Sequence, residues 1–266
     1  MLETPDMAAR VGIGVITYNR KDILAETLAR VRAHTTSAYE LVVADDGSWD
    51  GTGELVRSLG VRLVTGRNKG IAWNKNRALF LLTMQLQCDV VILLEDDTSP
   101  VEDGWEQAWI EASLRWGHIN FAAEWLRESF FRGSGTAADP YLSTHVTAQC
   151  SGFSQAALLY GGYFDSRFRG YGQEHVEHTR RLIRVGFGGS YENINGRVEP
   201  TFRVLQSAIA VRSQHSYSNP GEQERNYLLC RQLLFDETYR MPWREDAELL
   251  QFRAEMDAAL HGDGTI

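Results

Sequence analysis

Three consecutive carboxylates, Glu95, Asp96 and Asp97, follow the short apolar run at residues 90–94 and are the side chains of this sequence best suited to chemistry. The apolar run is typical of a buried strand in an α/β sheet. Neighbouring acids repel one another unless a cation lies among them, and open α/β sheets bind ligands beyond the carboxyl ends of their strands. The pattern therefore indicates a divalent metal that carries an anionic substrate. The alternative is a solvated acidic turn before a helix.

Polar residues also follow the first two apolar runs of the chain, at residues 11–17 and 40–44. Thr17 ends the first run, Tyr18 and Asn19 follow it, and Asp46 comes after the second. The ring of Tyr18 could stack on a nucleobase, and the Asp46 carboxylate could accept a hydrogen bond from a base imide N–H. The alternative for residues 45–50 is a turn and helix cap, which these residue types form routinely.

Two lysines, Lys69 and Lys75, follow the third apolar run and bring cations to the same edge of the predicted sheet. They would screen phosphate charge there, or they simply face water. The segment between them has the spacing of neither a P-loop nor a dinucleotide fingerprint. Kinase and dehydrogenase chemistry are therefore not indicated.

Apolar runs alternate with amphipathic segments in the first hundred residues, which predicts an α/β fold with a mostly parallel, doubly wound central sheet flanked by helices. The predicted strands are 11–17, 40–44, 61–64, 89–94, 119–125 and 142–150. The predicted helices include 52–59, 71–87, 102–116, 174–185 and a C-terminal set over 226–260, and the predicted loops are 129–139 and 214–224.

Composition excludes several classes of protein. The chain has 266 residues and a net charge of -8, so it lacks the basic balance of a general nucleic-acid binder. Its three cysteines show no CxxC spacing, which fits a reducing compartment. No stretch approaches the roughly 18 apolar residues of a membrane span. We therefore expect a soluble, cytoplasmic protein without a transmembrane segment.

Four segments of the first half carry a family resemblance. They are Ile-Thr-Tyr-Asn-Arg at 16–20, Val-Ala-Asp-Asp-Gly-Ser-Trp-Asp-Gly-Thr at 43–52, Asn-Lys-Gly at 68–70, and Leu-Glu-Asp-Asp at 94–97. In order and spacing they resemble the family-2 glycosyltransferases of GT-A fold.

The second half carries a further resemblance, at residues 151–153, 161–165 and 168–177. These look like the acceptor-side segment that also occurs in galactosyl- and N-acetylgalactosaminyltransferases of this fold. There, Gly-Gly-Phe-Asp is followed by a helix start of the pattern aromatic-Gly-Gly-Glu-Asp.

The resemblance implies a metal-dependent glycosyltransferase of the hexosyltransferase type. It would move a sugar from a nucleotide-diphosphate donor, most often a UDP-sugar, with Mn²⁺ or Mg²⁺ as cofactor. It also implies a single GT-A domain over residues 1–266. About 1–100 would bind the nucleotide-sugar, about 101–225 would form the acceptor and catalytic half, and about 226–266 would form C-terminal helices.

Carried over position by position, the resemblance gives a strand-end DXD-type metal motif in which Asp97 is the main ligand, Asp96 or Glu95 touches metal or ribose, and the late histidine His215 is a third ligand. Carboxylate and diphosphate oxygens suit Mg²⁺ and Mn²⁺, and imidazole is an acceptable ligand for Mn²⁺. The residues assigned to donor binding are Thr17, Tyr18, Asn19, Asp46, Lys69, Lys75 and Asp96.

The sequence departs from the family pattern at the catalytic base. Where inverting relatives have Asp after Glu174, this chain has His175. A histidine can act as general base near neutral pH, so we expect an inverting enzyme with His175 or Glu174 as base. Glu174 could instead only complement the dipole at a helix N-terminus. A retaining glycosyltransferase, a sugar nucleotidyltransferase and a non-catalytic sugar-nucleotide binder remain alternatives.

The sequence leaves the partners of the chain open. The acceptor could be a glycan, a small molecule or a modified nucleic-acid base. The leucine-rich C-terminal helices could pack on the core or form a homodimer.

Overall fold

The computed structural model describes residues 9–212, 219–236 and 240–261 of the chain. The helices in these ranges are α1 (Lys21–His34), α2 (Thr52–Ser58), α3 (Ile71–Phe80), α4 (Trp105–Trp116), α5 (Gln155–Gly161), α6 (Glu174–Arg184), α7 (Pro220–Leu233) and α8 (Asp246–His261). A π-helical turn (Leu81–Gln85) prolongs α3, and a short 3-10 helix spans Glu124–Ser129.

The strands are β1 (Val11–Thr17), β2 (Tyr39–Asp45), β3 (Arg62–Thr65), β4 (Val90–Glu95), β5 (Thr98–Pro100), β6 (His118–Phe121), β7 (Phe130–Arg132), β8 (Tyr141–Ser143), β9 (Cys150–Ser154), β10 (Gly189–Ile194), β11 (Arg197–Leu205) and β12 (Ile209–Val211).

One sheet runs through both halves of the chain, in the order β3-β2-β1-β4-β9-β6-β11-β8-β7, with β10 beside β11. The first four strands are parallel, and β9 lies antiparallel between β4 and β6. The predicted α/β fold class is confirmed. Because Thr17 pairs with Asp45 and Ile16 pairs with Glu95, β1, β2 and β4 end side by side.

The sheet separates two apolar cores, and β1 shows why. Ile13 and Val15 are fully buried and face α1 and α4. Gly12 and Gly14 point the other way, toward α3 and its π-helical extension. A Cβ atom at Gly12 would lie 2.7 Å from the side chain of Leu82. The two glycines therefore let this helix approach the strand closely.

The C-terminal helices pack on the core. Phe252 of α8 is fully buried and stacks on Trp73 of α3 with the ring centroids 4.4 Å apart. Leu233 of α7 is also buried, whereas Leu228 and Leu250 are exposed. Of the two roles considered for these helices, packing on the core is therefore confirmed, and a homodimer stays a prediction. In the described ranges, no helix has an apolar stretch long enough to cross a bilayer.

Two element predictions in the second half are wrong. The predicted strand 142–150 is two strands, because β8 pairs with β11 while β9 pairs with β4 and β6. The predicted loop 214–224 is partly helix. Asn219 caps α7 by accepting hydrogen bonds from the amides of Gly221 and Glu222, and Pro220 takes the first helical position, where its missing N–H costs nothing.

Further strands escaped prediction, and among them β5 and β12 pair with each other in a separate two-stranded sheet. β7 lies within the predicted loop 129–139. β10 and β11 form an antiparallel hairpin around Asn195 and Gly196, both of which have positive φ angles.

A buried polar network joins β6 and β9 to α6. His118 is 1% exposed, and its Nδ1 lies 2.9 Å from the carbonyl oxygen of Gly152. Its Nε2 lies 2.9 Å from Oγ1 of Thr179 and 3.0 Å from Nδ2 of Asn120. The neutral imidazole satisfies these contacts with Nδ1 as donor. Burial lowers the pKa of His118 to about 4.

This network predicts a pH-dependent contribution to stability. Between the unfolded pKa of about 6.5 and the folded value of about 4, only the unfolded state protonates His118. The contribution is complete above pH 6.5 and falls as the pH drops, by about 2 kcal/mol at pH 5.

Urea unfolding of the wild type and of His118→Gln at pH 7.5 and pH 5 tests this contribution. Asp96, whose pKa is raised, acts in the opposite direction, so the variant-minus-wild-type difference is the quantity to compare. The difference should change between the two pH values for His118→Gln and stay constant for the exposed control His145→Gln. An equal change in both variants would contradict the prediction.

Candidate active site

The carboxylates after β4 are held by an arginine from the first loop. Nη1 of Arg20 donates to Oδ1 of Asp96 at 2.7 Å, and its Nη2 donates to Oδ2 of Asp97 at 3.0 Å. The second oxygen of Asp96 accepts the hydroxyl of Thr17 at 2.8 Å. Both aspartates are buried, so the guanidinium compensates two like charges that the chain places side by side.

Asp96 is the more confined of the two aspartates. Burial raises its pKa to about 7, although Arg20 and the Thr17 hydroxyl act to lower it. Both of its carboxylate oxygens have protein partners. Oδ1 of Asp97, in contrast, has only a long contact of 3.4 Å from the hydroxyl of Thr98. Asp97 is therefore the aspartate with an oxygen available to a ligand.

A second charged cluster lies beside the first. Lys75 is 2% exposed, and its Nζ lies 3.1 Å from Oε1 of Glu174 and 3.5 Å from Oε1 of Glu95. Burial acts to raise the pKa of Glu174, but Lys75 and then His175 hold it well below the usual range. Burial raises the pKa of Glu95, against the pull of Lys75. Glu174 is thus an ionised, enclosed carboxylate.

His175 lies next to Glu174 at the start of α6. Its Nδ1 is 3.4 Å from Oε1 of Glu174 and makes no hydrogen bond with the described residues. The turn before α6 is left-handed at Gly170, Gly172 and Gln173. Gln173, with a φ of 71°, takes a conformation that favours glycine. This turn places the first residue of α6, Glu174, where its carboxylate pairs with Lys75.

Asp46 ties the loop after β3 to the edge of the sheet. Its oxygens accept hydrogen bonds from the amides of Lys69 at 3.0 Å and Gly70 at 2.8 Å. They also accept one from Nη1 of Arg77 at 2.7 Å. Burial raises its pKa, against these hydrogen bonds. A carboxylate has about four lone-pair sites, so a base N–H would have to share Asp46 with these donors. The assignment of Asp46 to base binding stays a prediction.

The other residues assigned to donor binding lie in different surroundings. Asn19 accepts the amide of Trp49 at 2.9 Å and so joins the first two strand-end loops. Tyr18 is exposed. Lys69 turns away, with Nζ 3.9 Å from the centroid of Trp73, into a separate cavity of about 160 Å³ beside α8. The structure therefore brings Thr17 and Asp96 together, and Lys75 and Glu174 together, but places Lys69 apart.

A cleft of about 440 Å³ opens over these charges. Asp97, Glu95, Glu174 and His175 line its floor. The surrounding walls come from the start of α3, the 3-10 helix, the loop before β9 and the turn before α6, with side chains of Ile71, Trp125, Leu126, Val146, Thr147, Gln149 and Tyr171. Residues from β4 and α6, far apart in sequence, thus share one ligand-sized space.

The described residues do not form a complete metal site by themselves. Among them, no group of three or more His, Cys, Asp or Glu side chains could hold a metal ion. Mg²⁺ commonly takes one or two carboxylates together with substrate phosphates and water. The available oxygen of Asp97 fits that requirement, so the site suits an ion that arrives with a diphosphate. His215, the predicted third ligand, lies outside the described residues.

Sequence reasoning overlooked the partners of the charged residues. Arg20 belongs to the motif at 16–20, and Arg77 follows Lys75 on α3, yet neither was assigned to the site. The available signal was that each arginine stands in the sequence beside residues that were assigned to the site. Trp125 and Gln149 carry no motif, so nothing in the sequence marked them.

Comparison with known proteins identifies the fold. Residues 13–115 match the sequence model of the family described as glycosyl transferase family 2. A mannosyltransferase from Pyrobaculum calidifontis, solved with GDP-Man and Mn²⁺, superposes with a TM-score of 0.56 at 15% identity, covering 98% of this chain and 78% of the other. The chain has the GT-A fold, and residues 13–115 resemble glycosyl transferase family 2. The predicted resemblance and fold are confirmed.

Two further solved structures superpose on the chain. S. aureus TarS 1-349 in complex with UDP superposes with a TM-score of 0.55 at 15% identity, over 96% of this chain and 74% of the 1-349 chain. GalNAc-T7 with UDP, GalNAc and Mn²⁺ gives 0.58 at 13% identity, over 95% and 55%.

The Pasteurella multocida hyaluronan synthase is 26% identical over 234 residues, which cover 70% of this chain and 24% of the synthase. The chain therefore spans about a quarter of that curated relative. These similarities support the predicted glycosyltransferase class.

Because Arg20 pairs with Asp96 and Asp97, we expect its guanidinium to compete with a divalent metal for these carboxylates. Arg20→Met leaves two buried aspartates without their cation, so the free energy of unfolding should fall by about 1–3 kcal/mol at pH 8, a range that allows for the partial exposure of the guanidinium. Mn²⁺ should then raise the melting temperature of the variant more than that of the wild type.

Thermal unfolding with and without Mn²⁺ measures both effects. Arg127→Met is the matched control, because Arg127 pairs with Glu124 in solvent, outside the cleft. Equal stability and an equal response to Mn²⁺ in the wild type and Arg20→Met would refute the prediction.

Proposed function

We propose that this protein transfers a sugar from a nucleotide-diphosphate donor, a UDP-sugar in the first instance, to an acceptor hydroxyl with inversion. One observation carries the proposal: Asp97 and the pair Glu174 and His175 line the same cleft at the carboxyl ends of parallel strands. Ligands of open α/β sheets bind at such ends. The family match favours glycosyl transfer over nucleotidyl transfer.

His175 is the proposed base, and Oε1 of Glu174 lies 3.4 Å from its Nδ1. Glu174 is enclosed and paired with Lys75, and its lowered pKa makes it a weak proton acceptor. His175 lines the cleft and turns Nδ1 toward Glu174, which leaves Nε2 for the acceptor. The acceptor oxygen would bond to the anomeric carbon as the bond from that carbon to the diphosphate breaks, and its proton would pass to His175.

A divalent cation, Mn²⁺ or Mg²⁺, is the proposed cofactor, with Asp97 as its protein ligand. When bound, it would offset the charge that develops on the departing diphosphate. Arg212, whose amide donates to the carbonyl oxygen of Asp97 at 2.9 Å, anchors the chain three residues before His215. This anchoring supports His215 as a further ligand. The solved structures with Mn²⁺ and nucleotide support the same cofactor class.

The donor proposal predicts metal-dependent nucleotide binding. Mn²⁺ should tighten UDP binding by about tenfold or more, equivalent to about 1.4 kcal/mol, and GDP should bind less tightly than UDP. Asp97→Asn should abolish the gain from Mn²⁺ because it removes the available carboxylate charge. Isothermal titration calorimetry measures each value.

Asp103→Asn provides the control, since Asp103 is exposed and pairs only with His34 among the described residues. The metal proposal fails if UDP binds equally well with and without Mn²⁺. Tighter binding of GDP than of UDP would show that the donor nucleobase is guanine and not uracil.

The proposed roles of Glu174 and His175 predict different effects of substitution. His175→Gln should lower UDP release from UDP-sugars in the presence of acceptor by about 10²–10⁴-fold and leave UDP affinity unchanged. Glu174→Gln should in addition lower the free energy of unfolding by about 3 kcal/mol, because Lys75 loses a buried partner.

Steady-state assays, calorimetry and urea unfolding separate these effects, with His34→Gln as the control histidine. Wild-type turnover in His175→Gln would transfer the role of base to Glu174. Unchanged stability in Glu174→Gln would remove the structural role assigned to its ion pair with Lys75.

A further inference from the structure

The cleft has an aromatic wall that the donor chemistry does not use. Trp125, on the 3-10 helix, is 49% exposed, and Tyr171, in the turn before α6, is 36% exposed. Both line the cleft above the carboxylates. Aromatic side chains carry a large apolar surface, and these two leave much of it in water at the mouth of a concave site. A ligand with a flat apolar face would cover that surface.

A polar atom at the same wall lacks a partner. Oε1 of Gln149 is buried and makes no hydrogen bond with any residue that the structure describes. Gln149 is fixed in place, because its carbonyl oxygen accepts the amide of Glu95 at 3.0 Å. Buried polar atoms without partners are rare in folded proteins. An amide oxygen is an acceptor, so a hydroxyl donor would satisfy it.

The charge of the cleft disfavours an anionic ligand that brings no cation with it. Three carboxylates, Glu95, Asp97 and Glu174, line the cleft, and its described lining contains no Lys or Arg side chain. Lys75 lies beneath, buried and paired with two of these carboxylates. Nucleic acids bind through cationic groups that track their phosphates. A neutral ligand avoids the repulsion that an anion without its own cation would meet here.

We propose that the acceptor is a neutral sugar whose ring packs on Trp125 and whose hydroxyl donates to Gln149. The proposal rests on the proposed glycosyltransferase function, because the acceptor hydroxyl must also reach His175. Sugars present an apolar face of C–H groups and a rim of hydroxyls, which match the aromatic surface and the unpartnered amide oxygen. The proposed acceptor therefore belongs to the glycan class, and we expect neither nucleic acid nor an anionic sugar to bind on this wall.

Saturation-transfer NMR titration of the full chain, with UDP and Mn²⁺ present, tests the proposal. The probes are the methyl β-glycosides of glucose, galactose and N-acetylglucosamine. Methyl β-glucuronide is the charged match of the glucoside, and a thymidine hexanucleotide represents nucleic acid. We expect at least one neutral glycoside to bind, the glucuronide to bind about tenfold more weakly than the glucoside, and the hexanucleotide not to bind. Trp125→Ala should weaken binding of the neutral glycoside about tenfold.

Two further variants control the test. Trp125→Phe keeps an aromatic surface and should stay within about threefold of the wild type. Tyr191→Ala removes an equally exposed ring (51%) of β10, outside the cleft lining, and should change nothing. UDP affinity, measured in every variant by calorimetry, should not move.

Three outcomes overturn the proposal: equal binding of the glucuronide or the hexanucleotide, unchanged glycoside binding in Trp125→Ala, or no glycoside binding by a protein that binds UDP. Absence of UDP binding with glycoside binding retained would instead refute the proposed function alone. Absence of both UDP binding and glycoside binding would refute the proposed function and the acceptor proposal together.

Discussion

Burial of like charge at the ends of β2 and β4 is the constraint on which the rest of the structure depends. Such a concentration of carboxylates would be strongly unfavourable in a folded interior without cations beside it. Three side chains provide them: Arg20 pairs with Asp96 and Asp97, Lys75 pairs with Glu95 and Glu174, and Arg77 pairs with Asp46 and Glu255. Each cation joins segments that are distant in sequence, so the pairing fixes both the site and the tertiary arrangement around it.

Two of these cations, Lys75 and Arg77, lie on helix α3 and pair with different carboxylates. Lys75 and Arg77 are two positions apart, so they leave the helix on different sides. Lys75 reaches the carboxylates of the cleft, whereas Arg77 reaches Asp46 and Glu255 of α8. The close packing of α3 against Gly12 and Gly14 of β1 brings both side chains to the edge of the sheet. A packing feature of the core thus decides the electrostatics of the site.

The sequence predicts the local features well and the long-range pairings poorly. The apolar runs of β1, β2 and β4 and the acids that follow them are local patterns, and their common edge follows from parallel pairing. The β10–β11 hairpin was not predicted, although its Asn195-Gly196 turn carries the strongest short hairpin signal. The contact of Lys75 with Glu174 was not readable, since it depends on how α6 docks. The place of Trp125 in the cleft was not readable either, because no local pattern in the 3-10 helix marks it.

The charges of the cleft also restrict how a diphosphate could enter it. Arg20 and Lys75 are already engaged with buried carboxylates, and Oδ1 of Asp97 is the oxygen with the weakest protein contact there. A diphosphate that arrived alone would add negative charge beside Asp97, and Arg20 could meet it only by releasing a buried aspartate. A diphosphate that arrived with a divalent cation would have its charge compensated by that cation, and the cation could bind Oδ1 of Asp97. Under the proposed function, the resident cations therefore favour joint entry of metal and donor over a metal bound permanently, and Arg20 neutralises the aspartates while the donor is absent.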